Sequence, residues 1–135
     1  MIYFDTNVLI HSLVNQNEAN MNLAQTRIEH AIKTNQFIIS PLVVQELAFV
    51  LSKLKCDKLY ISKACQHFLP FVQGEINVNT IKQATEIACE HNLGKSINDV
   101  THLVLAQMHA KKLVTFDSDF LVMQPFSTIP IEWLR

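Results

Sequence analysis

The sequence predicts an α/β fold in which short buried strands alternate with amphipathic helices, and three observations predict it. Apolar runs at Ile2–Phe4, Phe37–Ser40 and Lys112–Phe116 are separated by segments whose apolar residues recur at helical spacing, the pattern of βαβ units. The chain is 49% hydrophobic and 17% charged with two glycines and four prolines, which excludes disorder and favours long helices with short connections. Two of the strands run straight into acid, at Asp5-Thr6-Asn7 and Asp117-Ser118-Asp119. Strand ends are where open α/β sheets place their ligands. With 135 residues and no internal repeat, low-complexity tract or linker, residues 1–135 are expected to form one domain around one core.

Taken in order, Ile2, Tyr3 and Phe4 read as a strand covered on both faces, because no charge interrupts them before Asp5. Val8, Leu9 and Ile10 resume the apolar pattern toward Leu13, with Thr6 or Asn7 as the expected helix N-cap. Met21, Ala24, Ile28, Ala31 and Ile32 form one stripe of a helix over 18–34, and Arg27, Glu29 and Lys33 lie off it. Phe37–Ser40 is the second strand, and Pro41 opens the next helix at the first-turn position where proline fits.

That helix, Pro41 to about Lys53, is apolar around most of its circumference, yet Glu46 lies within the apolar arc. At about 100° per residue, Val43 and Val50 flank it on one side and Leu42 and Phe49 on the other. A carboxylate so placed needs a proton, a basic partner or a metal, because burying it unpaired costs several kcal/mol. Lys53, Lys55 and Lys58 bracket a turn into a second helix ending before Pro70, so the pair reads as a helical hairpin with a basic corner. Glu75–Val78 reads as a short extended piece, followed by a helix capped by Asn79 or Thr80 and ended by Gly94.

Val100, Leu103, Val104, Ala106 and Ala110 mark a later helix with Asp99 in its first turn, on the stripe shared by positions 103, 106 and 110. Asp at a helix start suits the dipole, but this spacing also turns it inward. Lys112–Phe116 is the next strand, and Thr128–Trp133 is an edge strand because Pro130 cannot donate to a ladder.

Cys56, Cys65 and Cys89 match neither a disulfide framework nor a zinc motif and read as reduced. Met1 begins a strand rather than a basic leader with an apolar core, and no run approaches the roughly 20 apolar residues of a membrane span. The expected compartment is the cytoplasm, with no membrane association.

Asp5, Glu46, Asp99, Asp117 and Asp119 each have an ordinary explanation taken singly. Together they stand where an α/β sheet converges. Close carboxylates repel by roughly 4 kcal/mol per pair at an effective dielectric of 20, so gathering them calls for a compensating cation. Oxygen-only ligands suit Mg²⁺ or Mn²⁺, whereas zinc would need His and Cys at spacings that are absent; His102 and His109 share a helix face without further partners. Assigning these five acids to one site leaves seven others against 11 Lys and Arg, so the remaining surface carries an excess of four positive charges. An acidic pit on a mildly basic body suits nucleic acid once metal fills the pit. Ser96 and Ser118 lack a base partner for acyl transfer, and isolated Gly74 and Gly94 make no phosphate loop.

Asp5-Thr6-Asn7 after the first strand, Glu46 in a mid-chain helix, Asp99 starting a later helix, and the Thr-x-Asp-x-Asp-Phe pattern of residues 115–120 resemble the PIN-domain nucleases, most closely the VapC toxins of toxin–antitoxin pairs. The resemblance implies a three-layer α/β/α sandwich with a central parallel sheet. It also implies Asp5, Glu46, Asp99 and Asp117 as the catalytic acids, Asp119 assisting them in holding Mg²⁺ or Mn²⁺, and cleavage of RNA. Thr6 and Asn7 are then expected to orient Asp5 and its turn, and Thr115 to hold a water or a carboxylate. The expected mechanism is in-line attack on an RNA phosphodiester by metal-activated water. A small antitoxin lying near the helical hairpin and a homodimer are further expectations of the resemblance. The competing readings are a PIN-like module that binds RNA or protein without cutting, and a metal-dependent phosphatase.

Overall fold

The computed structural model describes all 135 residues, and its central feature is a four-stranded sheet in which every neighbouring pair is parallel. The strands are β1 (Ile2–Phe4), β2 (Phe37–Ile38), β3 (Leu113–Thr115) and β4 (Ile131–Trp133), in the spatial order β2-β1-β3-β4. Tyr3 stands between Ile38 and Leu113, and Val114 pairs with both Phe4 and Glu132. β1, β2 and β3 are short and almost wholly buried, as expected of a sheet covered on both faces, while Glu132 and Trp133 of β4 are half-buried at the sheet edge. Six helices provide the cover: α1 (Thr6–Leu13), α2 (Glu18–Lys33), α3 (Pro41–Lys53), α4 (Lys58–Phe68), α5 (Val78–Glu90) and α6 (Ile97–His109). Helix α1 touches α2 and α3, α3 touches α4, and α5 pairs with α6, giving the three-layer α/β/α arrangement with one core of 29 buried hydrophobic residues.

Chain order explains where a crevice must open. From β1 the chain moves to β2 on one side, and from β2 it crosses back to β3 on the other, so the sheet changes winding direction between β1 and β3. Ligands of such sheets bind beyond the carboxyl ends of the strands at this switch point. Asp5 follows β1 and Asp117 follows β3.

The helix of 18–34 and the helix starting at Pro41 form where their spacing placed them, and β4 occupies the sheet edge. Differences from the sequence reading are local. Asp5 itself, rather than Thr6 or Asn7, caps α1. Regular strand pairing in β2 stops at Ile38; Ile39 bridges to Val72 and Ser40 turns to cap α3. In the piece at 75–78, Asn77 is extended and caps α5 in a reciprocal capping box with Thr80, and Val78 is already the first residue of that helix, whereas the sequence reading has Asn79 or Thr80 as its cap. Helix α5 ends before Gly94: Asn92 takes the left-handed conformation at φ 57°, which asparagine tolerates well among non-glycine residues. The segment 118–126 winds as a 3₁₀ helix, with Pro125 inside it, and forms the crossover from β3 to β4.

Candidate active site

Asp5 leaves β1 with its amide still bonded to the Val114 carbonyl at 3.0 Å, so the sheet itself fixes the residue's position. Its Oδ1 accepts from the Thr6 amide at 2.8 Å as the α1 cap, and Oδ2 accepts from the Thr115 hydroxyl at 2.8 Å. Thr115 is the last residue of β3, so its side chain ties one strand end to the other. The same oxygen, Oγ1, accepts from the Asp117 amide at 3.0 Å and from Asn7 Nδ2 at 3.3 Å. Asn7 Oδ1 in turn accepts from the Phe116 amide at 3.1 Å. Thr115 and Asn7 thereby hold the two acidic turns in register. Asp117 Oδ1 caps the following 3₁₀ turn by accepting from the Asp119 amide at 2.9 Å.

Glu46 projects from α3, and Thr6 and His102 converge on a single one of its oxygens. Thr6 Oγ1 donates to Glu46 Oε1 at 2.6 Å, and His102 Nε2 lies 2.6 Å from that atom. His102, from α6, is 1% exposed, and its Nε2 also lies 3.7 Å from Asp5 Oδ1. Helical spacing alone leaves Glu46 with a proton, a basic partner or a metal, and gives His102 no role. The basic partner is this imidazole, so histidine relieves part of the carboxylate crowding. A signal for it did exist: His102 follows Asp99 by three residues, one helical turn deeper on the same face.

Electrostatics follow from this packing. Burial pushes Asp5 upward more than His102, Thr115 and Thr6 pull it down. For Glu46, burial acts upward but the hydrogen bond and charge of His102, with Thr6, outweigh it, and its pKa falls. His102 is the converse: burial acts downward, while the Glu46 bond and the charges of Asp5, Glu46 and Asp99 lift it overall. Asp99 is pushed up to about 6, first by burial and then by the carboxylate of Asp5, with Asp117 and Glu46 adding to it despite His102. Asp99 therefore senses three other acids, which is what convergence requires.

Asp5, Glu46, Asp99 and Asp117 all line one cavity of about 610 Å³, with Thr6, Asn7 and Asn98 among the polar residues and Leu42, Phe49 and Val50 along the α3 side. Potential ligand atoms of Asp5, Glu46 and His102 lie within 4.8 Å of one another. Asp119 lines a separate, smaller cleft with Ser96 and Met123, and Asp99 borders both spaces. Phe49, read from sequence as a buried flank of Glu46, is 67% exposed at the lip of the cavity. The donor chemistry fits a hard divalent cation: carboxylate oxygens predominate, Glu46 Oε2 accepts no hydrogen bond from the chain, and the raised Asp99 marks negative charge that a cation would relieve.

A family model described as the PIN domain matches residues 2–124. The chain belongs to the PIN-domain family. Among solved structures, this PIN domain is similar to a chain of VapBC2 from Rickettsia felis, described as bound to a DNA fragment from their promoter, at 21% identity, 100% coverage of both chains and a TM-score of 0.66. It is also similar to a chain of FitAcB from Neisseria gonorrhoeae at 19% identity, covering 98% of this chain and 96% of the other, with a TM-score of 0.65. At these identities the likeness establishes the PIN fold. A search of curated proteins finds no match.

Proposed function

We propose that this PIN domain is a Mg²⁺- or Mn²⁺-dependent endoribonuclease and the toxin of a cytoplasmic toxin–antitoxin pair. The observation that carries the reading is the meeting of Asp5, Glu46, Asp99 and Asp117 in one cavity at the switch point of a PIN-domain sheet. Asp5, Glu46, Asp99 and Asp117 would hold the cation, with Asp119 assisting from the adjoining cleft. A divalent ion bound there supplies Lewis-acid activation of water and neutralises charge on the phosphodiester.

The chain's own groups have defined tasks. Thr115 and the Thr6 amide donate to the two oxygens of Asp5 and offset part of the burial that raises its pKa, while Thr6 with His102 tips Glu46 toward its ionised form. Asn7 fixes the turn that carries Asp117. Asp5 caps α1 from the position that faces the substrate, so helix and site are set by one residue.

A partner is supported on the outer side of the site. Phe49, Leu54, Leu59 and Tyr60, on α3, α4 and the turn between them, are all exposed. Phe49 stands at the lip of the cavity, and exposed apolar side chains along the hairpin suit a protein segment lying over it, so we assign this hairpin to the antitoxin. Homodimerisation follows from the toxin resemblance alone.

The test is Asp5→Asn. Asparagine remains a good N-cap, so the fold is expected to persist. Cleavage of single-stranded and structured RNA in Mg²⁺ is expected to fall by roughly 100-fold or more, the scale of losing one electrostatic stabiliser. Unchanged cleavage by Asp5→Asn overturns the assignment. Wild-type release of terminal phosphate without shortening of the RNA would point to a phosphatase instead.

A further inference from the structure

Behind Glu46 runs a chain of buried hydrogen bonds that the cleavage chemistry does not itself require. Ser40 Oγ lies 2.7 Å from the Tyr3 hydroxyl, that hydroxyl lies 2.7 Å from His102 Nδ1, and His102 Nε2 lies 2.6 Å from Glu46 Oε1. Ser40 and its two partners are each at most 1% exposed. Three polar side chains in an apolar core are costly to keep unless every one is bonded, and here every one is. Their places in the chain give the network its meaning. Tyr3 belongs to β1, which delivers Asp5; His102 belongs to α6, which delivers Asp99; Ser40 caps α3, which delivers Glu46.

The consequence falls on one atom. His102 Nε2 faces a carboxylate and so carries a proton in either charge state of the ring. With the Thr6 hydroxyl it occupies Glu46 Oε1 twice, at 2.6 Å each, while Oε2 accepts nothing from the chain. A carboxylate held this way can give an ion one oxygen, and giving two means breaking short bonds. Mg²⁺ takes single oxygens at about 2.0–2.1 Å in strict octahedral geometry, whereas Ca²⁺ takes 6–8 ligands at about 2.3–2.6 Å and often both oxygens of a carboxylate.

We propose that the Ser40–Tyr3–His102 chain is a positioning device that fixes Glu46 as a one-oxygen ligand and thereby selects Mg²⁺ or Mn²⁺ against Ca²⁺. The inference rests on the reading of the cavity as a metal site. Tyr3 and His102 act through Glu46 and need touch neither the RNA nor the ion.

Calorimetric titration of Mn²⁺ and of Ca²⁺ into the full-length wild type, Tyr3→Phe, His102→Leu and His102→Gln tests it, with circular dichroism reporting the fold. Tyr3→Phe keeps the ring and removes only the hydroxyl. Loss of such an outer partner is expected to weaken Mn²⁺ binding by about 10-fold or more and to weaken Ca²⁺ binding much less, so the preference narrows. His102→Leu should do the same, and His102→Gln, which keeps an N–H donor, should restore part of the preference. Should His102→Leu fail to fold, Tyr3→Phe decides alone. An equal fall for both ions in Tyr3→Phe, or none, overturns the positioning role while leaving the metal site standing. A wild type that binds neither ion overturns both.

Discussion

Asp99 carries a carboxyl that burial, and then the charge of Asp5, pushes up to about 6. A carboxyl whose folded pKa exceeds its unfolded value of 3.8 opposes folding while ionised. That opposition is fully present above about 6, shrinks as pH falls, and is gone below the unfolded value. Asp99→Asn is therefore expected to stabilise the metal-free protein at pH 7.5 by on the order of 1 kcal/mol, a figure discounted because the carboxyl is part-exposed. Urea unfolding should show the gain vanishing toward pH 4, and a variant less stable than wild type at pH 7.5 would refute the crowding. Cleavage should be lost in the same variant, so stability and activity move in opposite directions. All four acids of the cavity were legible in the sequence because each combines a charge with an apolar context. His102 was not, since an imidazole on a buried helix face reads equally as packing. Its meaning depends on Tyr3 and Glu46, which stand 99 and 56 residues away in sequence.

At the level of elements, the sheet edge is secured by charge. Glu132 on β4 accepts from both guanidinium nitrogens of Arg27 on α2, with Nη2 at 2.9 Å, and pairs with Lys112 Nζ at 2.7 Å just before β3. The Arg27 hydrogen bond is the largest influence on the Glu132 carboxyl and, with Lys112, holds it down to about 2. A carboxyl depressed on folding contributes stability above its unfolded pKa and loses it as pH falls toward the folded one. Glu132→Gln is expected to destabilise by about 1 kcal/mol at pH 7, a bidentate pair tempered by solvent screening, and the deficit should close as pH drops from about 4.5 toward about 2. Urea unfolding at stepped pH and low salt measures it; a deficit independent of pH would mean lost packing rather than lost charge. Element existence was legible because helical and strand periods differ. Element ends were set by side-chain competition: Asn77 and Asn92 took capping and left-handed positions that the sequence reading gave to their neighbours.

Across the whole molecule, the winding reversal between β1 and β3 brings acids from positions 5, 46, 99 and 117 to one cavity, while the rest of the chain is mildly basic. Such a site stores repulsion in the folded state and releases it when an ion binds, and the unfolded chain has no equivalent site. Binding to the folded state alone stabilises by RT ln(1 + [L]/Kd), about 2.7 kcal/mol at a hundred times Kd. For a chain of this length that corresponds to roughly 10 °C in the melting midpoint. Differential scanning calorimetry of the wild type is therefore expected to show the midpoint climbing with the logarithm of Mn²⁺ concentration. Asp5→Asn should climb far less, and Lys82→Ala, which removes half of an exposed ion pair with Glu86 on α5, should follow the wild type. If Asp5→Asn gains as much as the wild type, the ion is binding to scattered surface acids and the shared site does not exist.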